Sequence, residues 1–161
     1  MYYGDGLPSL FYPLCKRTHN MSKSASMEKK AILIVEDSTD FSNLMKFVIE
    51  DMGFEGIQFP VEEEDIVGWA VQHKPAAILM DLALRKKGGM QFIEELKADA
   101  ATRNIPIVVI TGRELGAKEI LSLQVRDIRY LRKGRAEMHE IKRTITEAAS
   151  QAEPSASQKV K

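Results

Sequence analysis

The sequence predicts an α/β fold, a five-stranded parallel sheet with helices on both faces. Three observations predict it. Runs that are apolar at every position occur at residues 31–35, 76–80 and 105–110. A strand apolar on both faces belongs inside a sheet covered on both sides. Between the runs, apolar residues recur at three- and four-residue steps, as amphipathic helices require. Strand and helix then alternate five times, and right-handed crossovers lay such strands side by side and parallel.

Taken in order, the first strand is 31–35, Ala-Ile-Leu-Ile-Val, and it runs into Glu36-Asp37. Phe41, Leu44, Met45, Val48 and Met52 form the stripe of the first helix. A weaker strand spans 56–59. Glu62, Glu63, Glu64 and Asp65 open the second helix, where negative charge suits the helix dipole, and Ile66, Ala70 and Val71 are its stripe. The third strand ends in Asp81, and Phe92, Ile93 and Leu96 stripe the helix after it. The fourth strand ends in Thr111, with a shorter helix at 117–124. A weak fifth strand at 128–131 leads to Lys133, and Met138, Ile141, Ile145 and Ala148 mark the last helix.

These elements define a domain of residues 28–150. Residues 1–27 show neither period. Asp5, Gly6 and Pro8 interrupt their apolar part and the basic residues follow it, the reverse of a secretory signal. A disordered extension is expected, with Met21 or Met27 as a later start; an aromatic docking arm is the second reading. Residues 151–161 are polar and are expected to form a disordered tail.

Composition narrows the function classes. Of 161 residues, 44% are hydrophobic and 29% charged, within the globular range. Lys plus Arg number 23 and Asp plus Glu number 23, so a nucleic-acid or membrane coat is not expected. The neutral total hides a mildly acidic domain, with 18 basic and 21 acidic residues in 28–150 and basic ends on either side. No apolar run approaches the roughly 18 residues of a membrane span. The single cysteine, Cys15, cannot form an internal disulfide, which suits a reducing cytoplasm.

In a parallel α/β sheet, function sits at the carboxyl ends of the strands. Those ends carry Glu36-Asp37, Asp81, Thr111 and Lys133. Clustered carboxylates repel, and a cation relieves the repulsion. Oxygen ligands without His or Cys favour Mg²⁺. A metal, a lysine and a hydroxyl around one aspartate make a site for a phosphoryl group, and a carboxylate can form an acyl phosphate. Taken singly, each residue also fits a plain role, such as capping a helix. No Gly-x-x-x-x-Gly-Lys-Ser/Thr loop and no Gly-x-Gly-x-x-Gly turn occurs, against a nucleotide-binding protein.

On these residues the sequence resembles the receiver domain of two-component response regulators, the single-domain chemotaxis regulator being the simplest type. The resemblance covers about residues 30–148. It rests on Glu36-Asp37 after Ile-Leu-Ile-Val, Asp81 after Ile-Leu-Met, Thr111-Gly112 after Val-Val-Ile, and Tyr130-Leu131-Arg132-Lys133. Asp37 to Asp81 spans 44 positions, Asp81 to Thr111 spans 30 and Thr111 to Lys133 spans 22, without insertions relative to the family. Gly89, eight residues after Asp81, stands at the family's glycine before the third helix.

The resemblance implies a flavodoxin-like fold and a phosphorylation switch. Asp81 would be the phosphoacceptor. Asp37, Asp81 and the backbone carbonyl of Ala83 would bind Mg²⁺, with Glu36 acting through water. Lys133 would hold a phosphoryl oxygen. Thr111 would move toward the phosphoryl group and Tyr130 would turn inward behind it, reshaping the face of helix 4, strand 5 and helix 5. Donors would be a histidine kinase or a histidine phosphotransfer protein, and a downstream protein effector would read that face. The expected molecule is a stand-alone, cytoplasmic signalling domain rather than an enzyme with an external substrate. It would be a monomer or a phosphorylation-dependent dimer, with no direct nucleic acid and no membrane partner. Alternatives are a phosphorylation-independent scaffold of the same fold or, less favoured, a small α/β phosphatase. The phosphatase would want a second acid two residues beyond Asp81, and Ala83 stands there.

The sequence departs from the family at several positions. Gly134 follows Lys133 where proline is usual, and a trans bond is expected there. Arg85 stands where proline is common and, with Lys86 and Lys87, makes a basic loop that is read as solvated, the alternative being that its charges attract an acidic partner surface or the phosphoryl group. Ala83 and Arg113 occupy positions that tune dephosphorylation. Alanine cannot orient a water through its side chain and Arg113 could pair with phosphoryl oxygens, so a long-lived acyl phosphate is expected. Arg126, Arg129, Arg132, Lys133 and Arg135 form a basic cluster read as a protein-facing surface.

Overall fold

The computed structural model describes residues 29–151. The expected extension and tail lie outside the described residues, apart from Gln151, which closes the last helix. Strands and helices alternate: β1 (Ala31–Val35), α1 (Thr39–Asp51), β2 (Glu55–Gln58), α2 (Ile66–His73), β3 (Ala77–Met80), α3 (Gly89–Ala98), β4 (Ile107–Thr111), α4 (Ala117–Val125), β5 (Arg129–Arg132) and α5 (Met138–Gln151). One sheet holds all five strands in the order β2-β1-β3-β4-β5, every pair parallel. The fold class is the expected one.

Strand side chains point alternately to opposite faces, and the core divides accordingly. Leu33, Val35, Ile78, Met80, Ile107 and Val109 pack with Phe92, Ile93, Leu96 and Leu123 of α3 and α4. Their neighbours Ile32, Ile34, Ala77, Leu79, Val108 and Ile110 pack with Met45, Val48 and Ile49 of α1 and with Ile141, Ile145 and Ala148 of α5. Each fully buried Leu or Ile contributes about 1.5–3 kcal/mol relative to exposure. The two-sided burial explains why β1, β3 and β4 read as unbroken apolar runs. Edge strand β5 buries only Leu131, so its apolar signal is faint.

Several boundaries differ from expectation. β4 begins at Ile107, because Pro106 has no N–H for the ladder and Ile105 donates to the carbonyl of Thr102 in a turn. β3 starts at Ala77. The acidic run does not open α2 but precedes it. Asp65 is the N-cap, its side chain accepting from the Gly68 N–H at 2.7 Å, and the helix starts at Ile66. Leu44, Val71 and Met138 belong to the apolar stripes by spacing, yet they are exposed. Trp69 is structural: its indole donates to Glu63 at 2.7 Å and its ring packs edge-on against Phe59. Among the described residues no helix is long and apolar enough to cross a membrane.

Candidate functional site

β1 and β3 are the central neighbours from which the sheet is wound in opposite directions, β2 on one side and β4 and β5 on the other. Loops leaving their carboxyl ends diverge and open a crevice. Glu36-Asp37 and Asp81 sit at that crevice. Glu36 is fixed by its own turn, accepting from the Ser38 N–H at 3.0 Å, and Ser38 then caps α1 through the Phe41 N–H. Asp81 extends the β1–β3 ladder by donating its N–H to the Val35 carbonyl at 2.9 Å.

Alternation along the strands decides which groups meet. Glu36, Asp81 and Lys133 continue the parity of Ile34, Leu79 and Leu131, the side covered by α1 and α5. Lys133 Nζ donates to Asp81 Oδ2 at 2.7 Å and to Glu36 Oε2 at 2.5 Å. The Glu36 and Asp81 side chains are only 3% and 4% exposed, so this ammonium is their principal counter-charge. Burial raises the Glu36 carboxyl above the ordinary range, against the pull of Lys133 and the Ser38 N–H. For Lys133, burial acts downward, but the hydrogen bonds to Asp81 and Glu36 outweigh it and hold the ammonium protonated. The ring of Phe41 lies under the same ammonium, 4.4 Å from centroid to Nζ, a favourable cation–π geometry. By spacing alone Phe41 is an ordinary stripe residue. Its place four residues after Asp37, in the first turn of a helix that starts at the crevice, is the signal that points to the site.

Asp37 is the most open of the three acids, its side chain 15% exposed. One ligand oxygen from each of Glu36, Asp37 and Asp81 lies within 4.8 Å of the others. This all-oxygen set, two buried acids and one partly open, fits a hard divalent cation of the Mg²⁺ type. The exposed Ala83 donates its N–H to Asp81 Oδ1 at 3.0 Å. Arg85 does not simply sit in a solvated loop, as expected, but reaches Asp37, Nε to Oδ2 at 3.1 Å. Lys87 is also engaged, with Glu95 at 2.5 Å.

Comparison with known proteins agrees with this geometry. The family model of the response regulator receiver domain matches residues 32–145. The chain belongs to the response regulator receiver domain family. It is 40% identical over 87 residues to the phosphate regulon transcriptional regulatory protein PhoB of Klebsiella pneumoniae, covering 52% of this chain and 36% of that protein. The chain thus spans about a third of that relative's length. It is 34% identical over 85 residues to the polar-differentiation response regulator DivK of Brucella anthropi, covering 52% of this chain and 67% of that one. Among solved structures, chemotaxis protein CheY4 of Vibrio cholerae superposes with a TM-score of 0.64 at 16% identity, over 74% of this chain and 98% of that one. The receiver domain of a Pseudomonas aeruginosa sensor histidine kinase, with magnesium coordinated in its active-site cleft, gives 0.63 at 24% identity, over 76% and 98%. Receiver domains are signalling domains that bind Mg²⁺ at an acidic pocket, and this one carries the acidic group.

The other sequence-predicted residues of the receiver domain lie on the opposite side of the strand parity. Thr111 ends β4 in register with Arg132, and Tyr130 pairs with Val109, so Thr111 and Tyr130 share the α4 side. Thr111 is buried and its hydroxyl accepts from the Arg113 N–H at 3.3 Å. Tyr130 is 41% exposed, and a cavity of about 410 Å³ lies between it, Thr111 and Leu115. Arg113 does not stand free for a phosphoryl group: Glu119 takes it in a two-pronged pair at 2.7 and 3.2 Å. The basic cluster is likewise mostly engaged, Arg126 with Ser122, Arg129 with Glu147 and Arg132 with Glu114.

Two glycines hold the site in place. A Cβ on Gly89 would lie 2.1 Å from the Asp81 carbonyl oxygen and 2.8 Å from Leu82 Cα, both backbone atoms. Helix α3 therefore starts in direct contact with the Asp81 segment. Gly89→Ala is expected to destabilise by about 2–4 kcal/mol in urea unfolding, whereas Gly88→Ala, in open space, changes stability by less than about 1 kcal/mol. Gly134 has φ +77, and the peptide bonds of the described residues are all trans, as expected after Lys133. The Lys133 N–H still reaches the Thr111 carbonyl at 2.9 Å. Proline, locked near φ −65°, cannot take the Gly134 conformation. Gly134→Pro is expected to misplace Lys133 and lower stability by about 3 kcal/mol in urea unfolding, while Gly134→Ala costs only about 1–2 kcal/mol.

Proposed function

We propose that this receiver domain is a phosphorylation switch in which Asp81 accepts a phosphoryl group from the phosphohistidine of a histidine kinase or phosphotransfer protein. The observation that carries the reading is Lys133, held by Glu36 and Asp81 at 2.5 and 2.7 Å over a nearly buried carboxylate at the sheet's crevice. Asp81 Oδ forms a bond to phosphorus while the phosphorus–nitrogen bond breaks and the imidazole leaves with the electron pair. Lys133 keeps its proton and holds a phosphoryl oxygen, and Thr111 donates its hydroxyl to another. Asp37, Asp81 and the Ala83 carbonyl, with Glu36 through water, are the residues that would hold Mg²⁺. When bound, the ion neutralises charge developing on the phosphoryl oxygens.

The cavity between Thr111 and Tyr130 supports the switch, because it leaves room for the Tyr130 ring once Thr111 moves toward the phosphoryl group. The phosphoryl group favours one of two conformers, so the change is a population shift. The readout face has apolar side chains to offer: Leu121 and Val125 of α4, Tyr130 of β5 and Met138 of α5 are exposed, Val125 by 78%. That supports a protein effector on α4, β5 and α5 rather than nucleic acid, with a monomer or a phosphorylation-dependent dimer as the working state. The domain acts in the cytoplasm on this reading, and its only chemistry is its own phosphorylation and dephosphorylation. Gly134, which replaces the family's usual proline, leaves Lys133 on Asp81, and this favours the switch over the scaffold. The acyl phosphate is long-lived because Ala83 offers no side chain to a water. The test is labelling by acetyl phosphate with Mg²⁺, native protein against Asp81→Asn.

A further inference from the structure

Arg85 makes a contact that no general property of an acidic pocket requires. Its loop follows Asp81, yet its guanidinium crosses to the other wall of the crevice and takes Asp37. With Lys133 on Glu36 and Asp81, each of the three acids then has a cationic partner from within the chain. The two cations are held very differently. Lys133 is 19% exposed and bound by two acids and a ring. The Arg85 side chain is 83% exposed, and its partner Asp37 only 15%. An exposed arm on a nearly enclosed carboxylate can leave without exposing apolar surface, and such a pair adds little stability.

We infer that Arg85 is a displaceable built-in cation that occupies Asp37 in competition with the divalent ion, and so sets how much Mg²⁺ the domain needs. The inference rests on the metal reading of Glu36, Asp37 and Asp81 given above. The physical reasoning is short. A divalent ion among three carboxylates needs an oxygen of Asp37, the most solvent-accessible of the set. A guanidinium at 3.1 Å holds one of those oxygens and adds a positive charge where the ion must sit. Both effects lower affinity for the ion, and both vanish when Arg85 swings out. Lys86, next in the same loop, is exposed and makes no such contact. It therefore separates contact from loop charge.

The test is Mg²⁺ binding to the full chain by isothermal titration calorimetry, repeated with Mn²⁺, for native protein, Arg85→Gln and Lys86→Gln. Arg85→Gln is expected to bind the ion roughly three- to tenfold more tightly, Lys86→Gln less than about twofold. Thermal unfolding gives a second readout. Without metal, Arg85→Gln should melt at or below the native temperature, and saturating Mg²⁺ should raise its melting point more than the native one. Equal affinity in all three proteins, or equal tightening in both variants, overturns the role of Arg85 and leaves the metal reading intact. Absence of binding to all three overturns both.

Discussion

Asp81→Asn is expected to take up no phosphoryl group from acetyl phosphate under conditions that label the native domain. The reason is electronic. A carboxylate oxygen carries charge and an available lone pair, whereas the amide oxygen is neutral and the amide nitrogen is delocalised. The variant should remain folded. It gives up one charge-assisted bond to Lys133 at 2.7 Å, and in return the repulsion among the three acids is relieved, so stability should stay within about 2 kcal/mol of native. Loss of labelling with an unchanged circular dichroism spectrum then reports chemistry alone. Intact-mass spectrometry reads the outcome, and undiminished labelling of the variant would remove Asp81 from its role.

Lys133→Met should do two kinds of damage. Glu36 and Asp81 would be left buried together without their ammonium, and stranding buried charge costs about 2–4 kcal/mol where one edge still meets water. Phosphoryl uptake should also fall, by about 10²–10³, because a donor aimed at developing oxygen charge is lost. Urea unfolding with and without Mg²⁺ distinguishes charge from packing. A divalent ion replaces part of the missing positive charge, so Mg²⁺ should restore stability to the variant more than to the native protein. A lost methylene contact would not respond to the ion. Coincident unfolding curves for native and variant would show that Lys133 does not hold the buried acids together.

What is legible in the amino-acid sequence alone divides along physical lines. The inner strands are legible because burial on both faces leaves no polar residue in them but Thr111 at the end of β4, and the acids that follow β1 and β3 stand out against that background. Ends of elements are less so. Pro106 and the Asp65 cap shift two starts by local hydrogen bonding, which apolar periodicity does not report. The pairing of Lys133 with Asp81 follows from the fold, since strand ends must gather at one edge. The partners of Arg85 and Arg113 do not. A long side chain on a loop goes to the nearest opposite charge, and Asp37 and Glu119 become neighbours only through loop paths that carry no periodic signature. Phe41 looks like a core residue in the sequence, because a cation–π contact uses the same residue type as a hydrophobic stripe.

The division of the crevice by strand parity has a consequence for how this domain can vary. Glu36, Asp81 and Lys133 face one layer, Thr111 and Tyr130 the other. Inserting or deleting a single residue within β4 would rotate Thr111 into the wrong layer and separate it from Tyr130 altogether. The crevice therefore depends on the length of its strands as well as on the residues they carry. The loops at the far edge of the sheet, where no such phase has to be kept, are where the chain is free to grow.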